Sequence, residues 1–196
     1  MQLHKRDVVD AATRILDTYG IADLTMRRLA RELDVSPGAL YWHFTNKQRL
    51  LGAVADRVLR PALVDPPAGW RAGITDVCEK FRDALLSHTD GAELVSASLA
   101  AGQSEAMAQI LALLTAAAAD AGVERENAEL AARTVVYYVL GFTADEQSRL
   151  QWDAAGAQLP DGQSVLSTDP NRRFMFGLRL LIDGIAAHNR AEIELL

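Results

Sequence analysis

Cysteine occurs once in these 196 residues, at Cys78. That excludes an intrachain disulfide and suits a reducing compartment. With no histidine or acidic motif beside it, the thiol reads as a small core hydrophobe and not as a nucleophile. Histidine is scarce and scattered, at His4, His43, His88 and His188, with no metal-ligand spacing. No Ser/His/Asp set or paired carboxylates stand out, so no metal, no cofactor and no enzymatic activity are expected. Strand-like alternation, a GxGxxG run and a P-loop are missing as well, which removes nucleotide-binding α/β readings. No apolar stretch reaches the ~18 residues of a membrane span. The start, MQLHKRD, lacks the apolar run of a signal peptide. These absences predict a cytoplasmic chain with no membrane partner.

Hydrophobic residues make up 49% of the chain, ample for a real core. The periodicity is helical throughout, so the fold class is all-α. Residues 5–19 carry Val8, Ala11, Ala12, Ile15 and Leu16 at the spacing of one helix face, and Gly20 stops them. Thr25 to Lys47, TMRRLARELDVSPGALYWHFTNK, then reads as two short helices joined by a tight turn at Asp34-Val35. Thr25 is the first cap. Ser36 caps the second helix, with Pro37 in the first helical position, where its missing N–H costs nothing. That helix is predicted over residues 37–43, about 10 Å long, with Leu40 and Phe44 inward. Gly38, Ala39, Tyr41, Trp42 and His43 remain to face outward. Thr45 and Gln48 form a T-x-x-Q capping box for a further helix over residues 46–60. A capped helix start with Lys47 beside it suits phosphate, by dipole and charge together.

A net charge of −6, taken as one number, argues against a nucleic-acid partner. Splitting the chain removes the objection. Residues 1–60 hold ten Lys/Arg against seven Asp/Glu, a net of +3; residues 61–196 hold ten against nineteen, a net of −9. A basic module on an acidic body keeps phosphate attraction local. Pro61, Pro66 and Pro67 mark the boundary between a helix-turn-helix domain over 1–60 and a second helical domain over 61–196.

The run LTMRRLARELDVSPGALYWHFTNKQRLL resembles the DNA-binding domain of the TetR family of transcriptional repressors, over roughly residues 4–59. A second likeness, carried by Gly69-Trp70, Phe81-Arg82-Asp83-Ala84-Leu85-Leu86 and Asp90-Gly91-Ala92, is to the effector domain of the tetracycline-repressor branch. The resemblance implies a repressor that binds double-stranded operator DNA and is released by a small molecule. It places base reading on Arg27, Pro37, Gly38 and Ala39, and phosphate contacts on Thr25, Tyr41, Trp42, His43 and Lys47. Pro37-Gly38-Ala39 stands where the tetracycline repressors have Gln-Pro-Thr, so a bidentate adenine contact is absent and a different operator is expected. Their drug-contacting Asn and His fall at Val77 and Val95. A valine neither ligates a hard cation nor donates a hydrogen bond, so tetracycline–magnesium is not the expected ligand.

The acidic body reads as helices over 70–88, 91–100, 104–121, 124–152 and 170–194, with Asp90 capping the second and a polar Gly/Pro-rich loop over 153–168. An apolar pocket among helices 70–88, 104–121 and 124–152 is expected. Its candidate lining is Phe81, Leu85, Leu99, Leu114, Tyr138 and Phe142, with His88 or Gln147 as polar handles, for an apolar or aromatic effector. Helices 124–152 and 170–194 are apolar on several sides, which predicts a homodimer through a four-helix bundle. A two-fold protein would read two half-sites roughly 34–36 Å apart, hence a palindromic operator. The other reading is a helical ligand-binding dimer whose helix-turn-helix makes protein contacts.

Overall fold

Each helix begins where the sequence offers a cap and ends where it offers a break. In the computed structural model, residues 3–63, 65–156 and 169–193 are described, and their regular elements are all helical. They are α1 (Lys5–Tyr19), α2 (Met26–Glu32), α3 (Pro37–Tyr41), α4 (Lys47–Leu59), α5 (Trp70–Leu86), α6 (Gly91–Ala101), α7 (Glu105–Asp120), α8 (Arg125–Ala154) and α9 (Pro170–Ile193). Short 3₁₀ turns occupy Ile21–Asp23 and Arg60–Ala62. The all-α expectation holds. The chain divides into two compact units, one of residues 1–63 with 83–109 and the other of 64–82 with 110–196.

In the first unit α1 buries the five apolar residues its spacing predicts. It ends at Gly20, whose φ of 78° suits a residue without a Cβ and whose N–H reaches the Leu16 carbonyl at 2.8 Å. Leu50, Val54, Ala55, Val58 and Leu59 give α4 its buried face. α6 packs along α4, and the approach is close: a Cβ on Gly52 would overlap the Gln103 carbonyl oxygen. The Asp56 carboxylate of α4 accepts from Ser104 Oγ at 2.7 Å and from Ala106 N–H at 2.9 Å.

Two caps differ from the sequence reading. α4 is capped by Asn46, whose Oδ1 accepts from Arg49 N–H at 2.9 Å, and not by a Thr45–Gln48 box. Asp90 stands at the N-cap position of α6 but makes no side-chain cap hydrogen bond there. It sits in the left-handed region at φ 53°, and its carboxylate accepts from Ile21 N–H at 2.9 Å, so it serves the loop after α1.

In the second unit, Val135, Val136, Val139 and Leu140 of α8 are buried, as are Phe174, Leu178 and Ile182 of α9. Tyr138, Phe142 and Phe174 form an aromatic cluster with centroids 5.4–5.8 Å apart. Tyr138 Oη donates to the Phe174 carbonyl at 2.8 Å, and partial burial raises its phenol pKa. Arg82, only 5% exposed, forks onto both Glu146 oxygens at 3.0 and 2.7 Å and donates to Asn171 at 2.7 Å. On the opposite side of these helices Leu130, Tyr137, Phe176 and Leu180 are each more than half exposed. Beside them an apolar groove of about 400 Å³ runs between α8 and α9, past Thr134, Leu180, Gly184 and His188. The expected loop over 153–168 begins later than predicted, since α8 continues through Ala154; residues 157–168 lie outside the described residues.

Candidate nucleic-acid interface

The geometry of the amino-terminal module follows from hydroxyl caps. Thr25 Oγ1 accepts from Arg28 N–H at 3.1 Å and starts α2; Ser36 Oγ accepts from Ala39 N–H at 3.3 Å and starts α3. Both match the sequence reading. Between them Asp34 takes φ 52°, turning the chain sharply enough for α2 and α3 to pack on each other. The second helix is shorter than predicted, ending at Tyr41 and not at 43. Both His43 N–H and Phe44 N–H close onto the Leu40 carbonyl, at 3.0 and 2.9 Å, and carry the chain out of the helix. Leu40 and Phe44 anchor it, buried as expected.

What this leaves outside is the expected face. Thr25, Arg27, Pro37, Gly38, Tyr41, Trp42 and Lys47 are exposed, and Ala39 and His43 half-buried. Trp42 is 92% exposed, an indole that no packing of this chain covers. Tyr41 before it is 49% exposed, so two aromatic side chains in succession meet solvent. Thr25 can still donate its hydroxyl proton to a phosphate while its oxygen caps α2. Lys47 opens α4, so its ammonium stands where the helix start already favours an anion.

The three arginines of α2 are not equivalent. Arg28 stacks on the Tyr19 ring, 3.6 Å from its centroid, and pairs with Asp23 at 2.5 Å. It braces the start of α2 against α1. Arg27 has no such commitment among the described residues and projects into solvent, free to reach a guanine edge. In the sequence only the family resemblance singles out Arg27 from its neighbour; the ring at Tyr19 carries no local signal of its role.

Known proteins share this module. Residues 8–54 match the profile for bacterial regulatory proteins of the tetR family, and residues 63–160 match that for the tetracyclin repressor-like C-terminal domain. The chain belongs to the tetR family. It is 33% identical to the tetracycline repressor protein class E of Escherichia coli, over 92% of this chain and 90% of that protein. Among solved structures it is similar to BioQ of Mycobacterium smegmatis at 64% identity, covering 95% of this chain and 99% of that one, with a TM-score of 0.89. A structure of BioQ with its natural double-stranded DNA operator is 61% identical, covers 95% and 100%, and has a TM-score of 0.84. This TetR-family chain is therefore a ligand-responsive, DNA-binding transcriptional repressor and not an enzyme. Like other members, it works on operator duplex as a homodimer. The reading in which the helix-turn-helix serves protein contacts is not favoured.

The expected effector residues are divided between the two units. In the second unit Phe81 and Leu114 are fully buried, Gln147 is buried, and Tyr138 and Phe142 join the Phe174 cluster. Leu85, His88 and Leu99 belong to the first unit. There His88 Nδ1 lies 2.9 Å from Asp17 Oδ1, while Thr89 Oγ1 donates to the Asp17 carbonyl at 3.0 Å. His88 thus holds the loop after α5 to the end of α1. The tetracycline-contact positions Val77 and Val95 are both buried. Among the described residues no group of three His, Cys, Asp or Glu is placed to hold a metal ion, and no helix is long and apolar enough to cross a membrane.

Proposed function

We propose that this repressor reads a palindromic operator through Arg27 and the Pro37-Gly38-Ala39 tip of α3, with Thr25, Tyr41, Trp42, His43 and Lys47 positioning the phosphates. The observation that carries the reading is the near-complete exposure of Trp42 at the end of α3, a helix anchored by the buried Leu40 and, just beyond it, Phe44. Residues 1–60 act as the DNA-binding domain and 61–196 as the effector and dimerisation domain, in keeping with family matches over 8–54 and 63–160. Two chains associate through α8 and α9. The exposed Leu130, Tyr137, Phe176 and Leu180 support this, since each large side chain removed from water contributes roughly 1.5–3 kcal/mol.

The effector is an apolar or aromatic small molecule held near Phe81, Leu114, Tyr138 and Phe142, with Gln147 as the polar handle, and the protein works in the cytoplasm. Lining of this kind gives affinity through buried area and orientation through a single amide. The test is fluorescence anisotropy of labelled duplex from the protein's own upstream region, titrated at several salt concentrations, alongside sedimentation of the free protein. Half-site binding by a dimer, competed poorly by scrambled DNA, is expected. A monomer, or equal binding to scrambled duplex, would reject the reading.

A further inference from the structure

We propose that the missing side chain at Gly38 determines base preference, because it leaves room at the tip of α3 for the C5-methyl group of a thymine. The inference rests on the proposed DNA reading by α3.

Most glycines that matter to this fold declare why they are glycine. Gly20 and Gly102 have positive φ, and a Cβ on Gly52 or Gly91 would overlap the carbonyl oxygen of Gln103 or Leu85. Gly38 has neither reason. It lies within α3 with no positive φ, and a Cβ there would meet only Ser36 Oγ, at an ordinary 3.7 Å. Glycine weakens a helix relative to alanine, and α3 has only five residues to lose from. The protein's own packing therefore favours alanine at this position. Nothing in the chain's own packing asks for glycine at this exposed position.

Two other helical glycines, Gly141 and Gly184, have nothing within 4 Å of where a Cβ would stand. Gly184 borders the α8–α9 groove, and Gly141 follows the exposed Tyr137 by one helical turn. Both stand on the face proposed to meet a second subunit, where close approach also comes from outside the chain.

The chemistry around Gly38 narrows what approaches it. Pro37 and Ala39 flank it, and the Ser36 oxygen is occupied by Ala39 N–H. Positions 37–39 themselves thus offer no side-chain donor or acceptor to a base, and the nearest hydroxyl, on Ser36, precedes them. In the major groove the one apolar group on a base edge is the thymine methyl. A phosphate would be met by backbone N–H groups whatever the side chain, so it gives no reason for glycine over alanine.

The experiment uses the full chain and the duplex it selects from a randomised library. Gly38→Ala is expected to melt no lower than the parent, yet to bind the selected duplex roughly tenfold more weakly or worse. Replacing one thymine per half-site by deoxyuridine, which deletes only the methyl group, should restore most of the variant's affinity while weakening the parent. The proposal is overturned if the variant binds like the parent, melts lower, loses equally on scrambled duplex, or is rescued by no deoxyuridine. Failure of the parent itself to select any duplex overturns the DNA reading, an outcome seen before the variant is made.

Discussion

Ser104 Oγ donates to Asp56 Oδ1 at 2.7 Å, and through that bond the first turn of α7 is fastened to the middle of α4. The same carboxylate oxygen accepts Ala106 N–H, so Asp56 caps a helix 50 residues away in sequence. A carboxylate at a helix start is favoured by the dipole as well as by the hydrogen bonds. Asp56→Ala is expected to lower stability by about 1–2 kcal/mol, seen as a lower urea midpoint at unchanged slope. Asp56→Asn keeps an acceptor and should lose less.

Arg82 is a harsher case, because its guanidinium is buried with Glu146 and Asn171 around it and Phe174 4.9 Å from it. Arg82→Met leaves the Glu146 carboxylate, itself only 14% exposed, without its countercharge. A loss of about 3 kcal/mol or more is expected by chemical denaturation. The double variant Arg82→Met with Glu146→Leu should recover much of it, since an apolar pair of similar size carries no desolvated charge. If the double variant is no better than the single one, the cost lies in packing and not in the orphaned charge.

For DNA, Arg27→Ala and Lys47→Ala are expected to fail differently. On the proposed reading the arginine meets a base, so its loss should cost about 1–3 kcal/mol on the selected duplex and little on random DNA. The lysine is proposed to meet phosphate, so its loss should weaken both and reduce the salt slope by about one. Binding isotherms at four salt concentrations separate the two. Equal losses on both duplexes for Arg27→Ala would remove it from base reading.

Cys78 gives a pH prediction. Burial pushes its thiol pKa up from the ordinary 9.0, with the nearby Glu79 charge adding to the shift. Because the folded value lies above the unfolded one, the neutral thiol's contribution is complete below about pH 9 and is lost as pH rises. The unfolded chain then ionises while the folded one cannot. Stability should fall by roughly 1.4 kcal/mol per pH unit above that point. Comparing urea stability between pH 8 and 10 with that of Cys78→Ala isolates this contribution, which should be missing from the variant. Reaction of the native thiol with a bulky disulfide reagent should likewise await unfolding.

How much of this is legible in the sequence depends on the range of the interactions. Thr25, Ser36 and Gly20 act on neighbours within four residues, so their spacing alone foretells α1, α2 and the start of α3. Asn46 escapes by one position because Thr45 and Asn46 are both good caps, and only the backbone decides the register. Asp90 looks like a cap because acidic residues before helices usually are. Its true partner, Ile21, lies 69 residues back, beyond the reach of any local pattern. The same holds for Arg82, whose partners are 64 and 89 residues away. The exposed face of residues 37–43 is legible since exposure follows from which residues a short helix must bury. The effector lining is not, because apolar side chains that line a pocket and those that fill a core share one alphabet.

The bracing of Arg28 by Tyr19 and Asp23, together with the Leu40 and Phe44 anchors, leaves the scaffold of this module with almost no stake in positions 37–39. Those three positions can be rewritten without disturbing what holds α3 in place. Such a division of labour lets descendants of one ancestor drift toward new promoters by a few codon changes, and offers an engineer the same freedom.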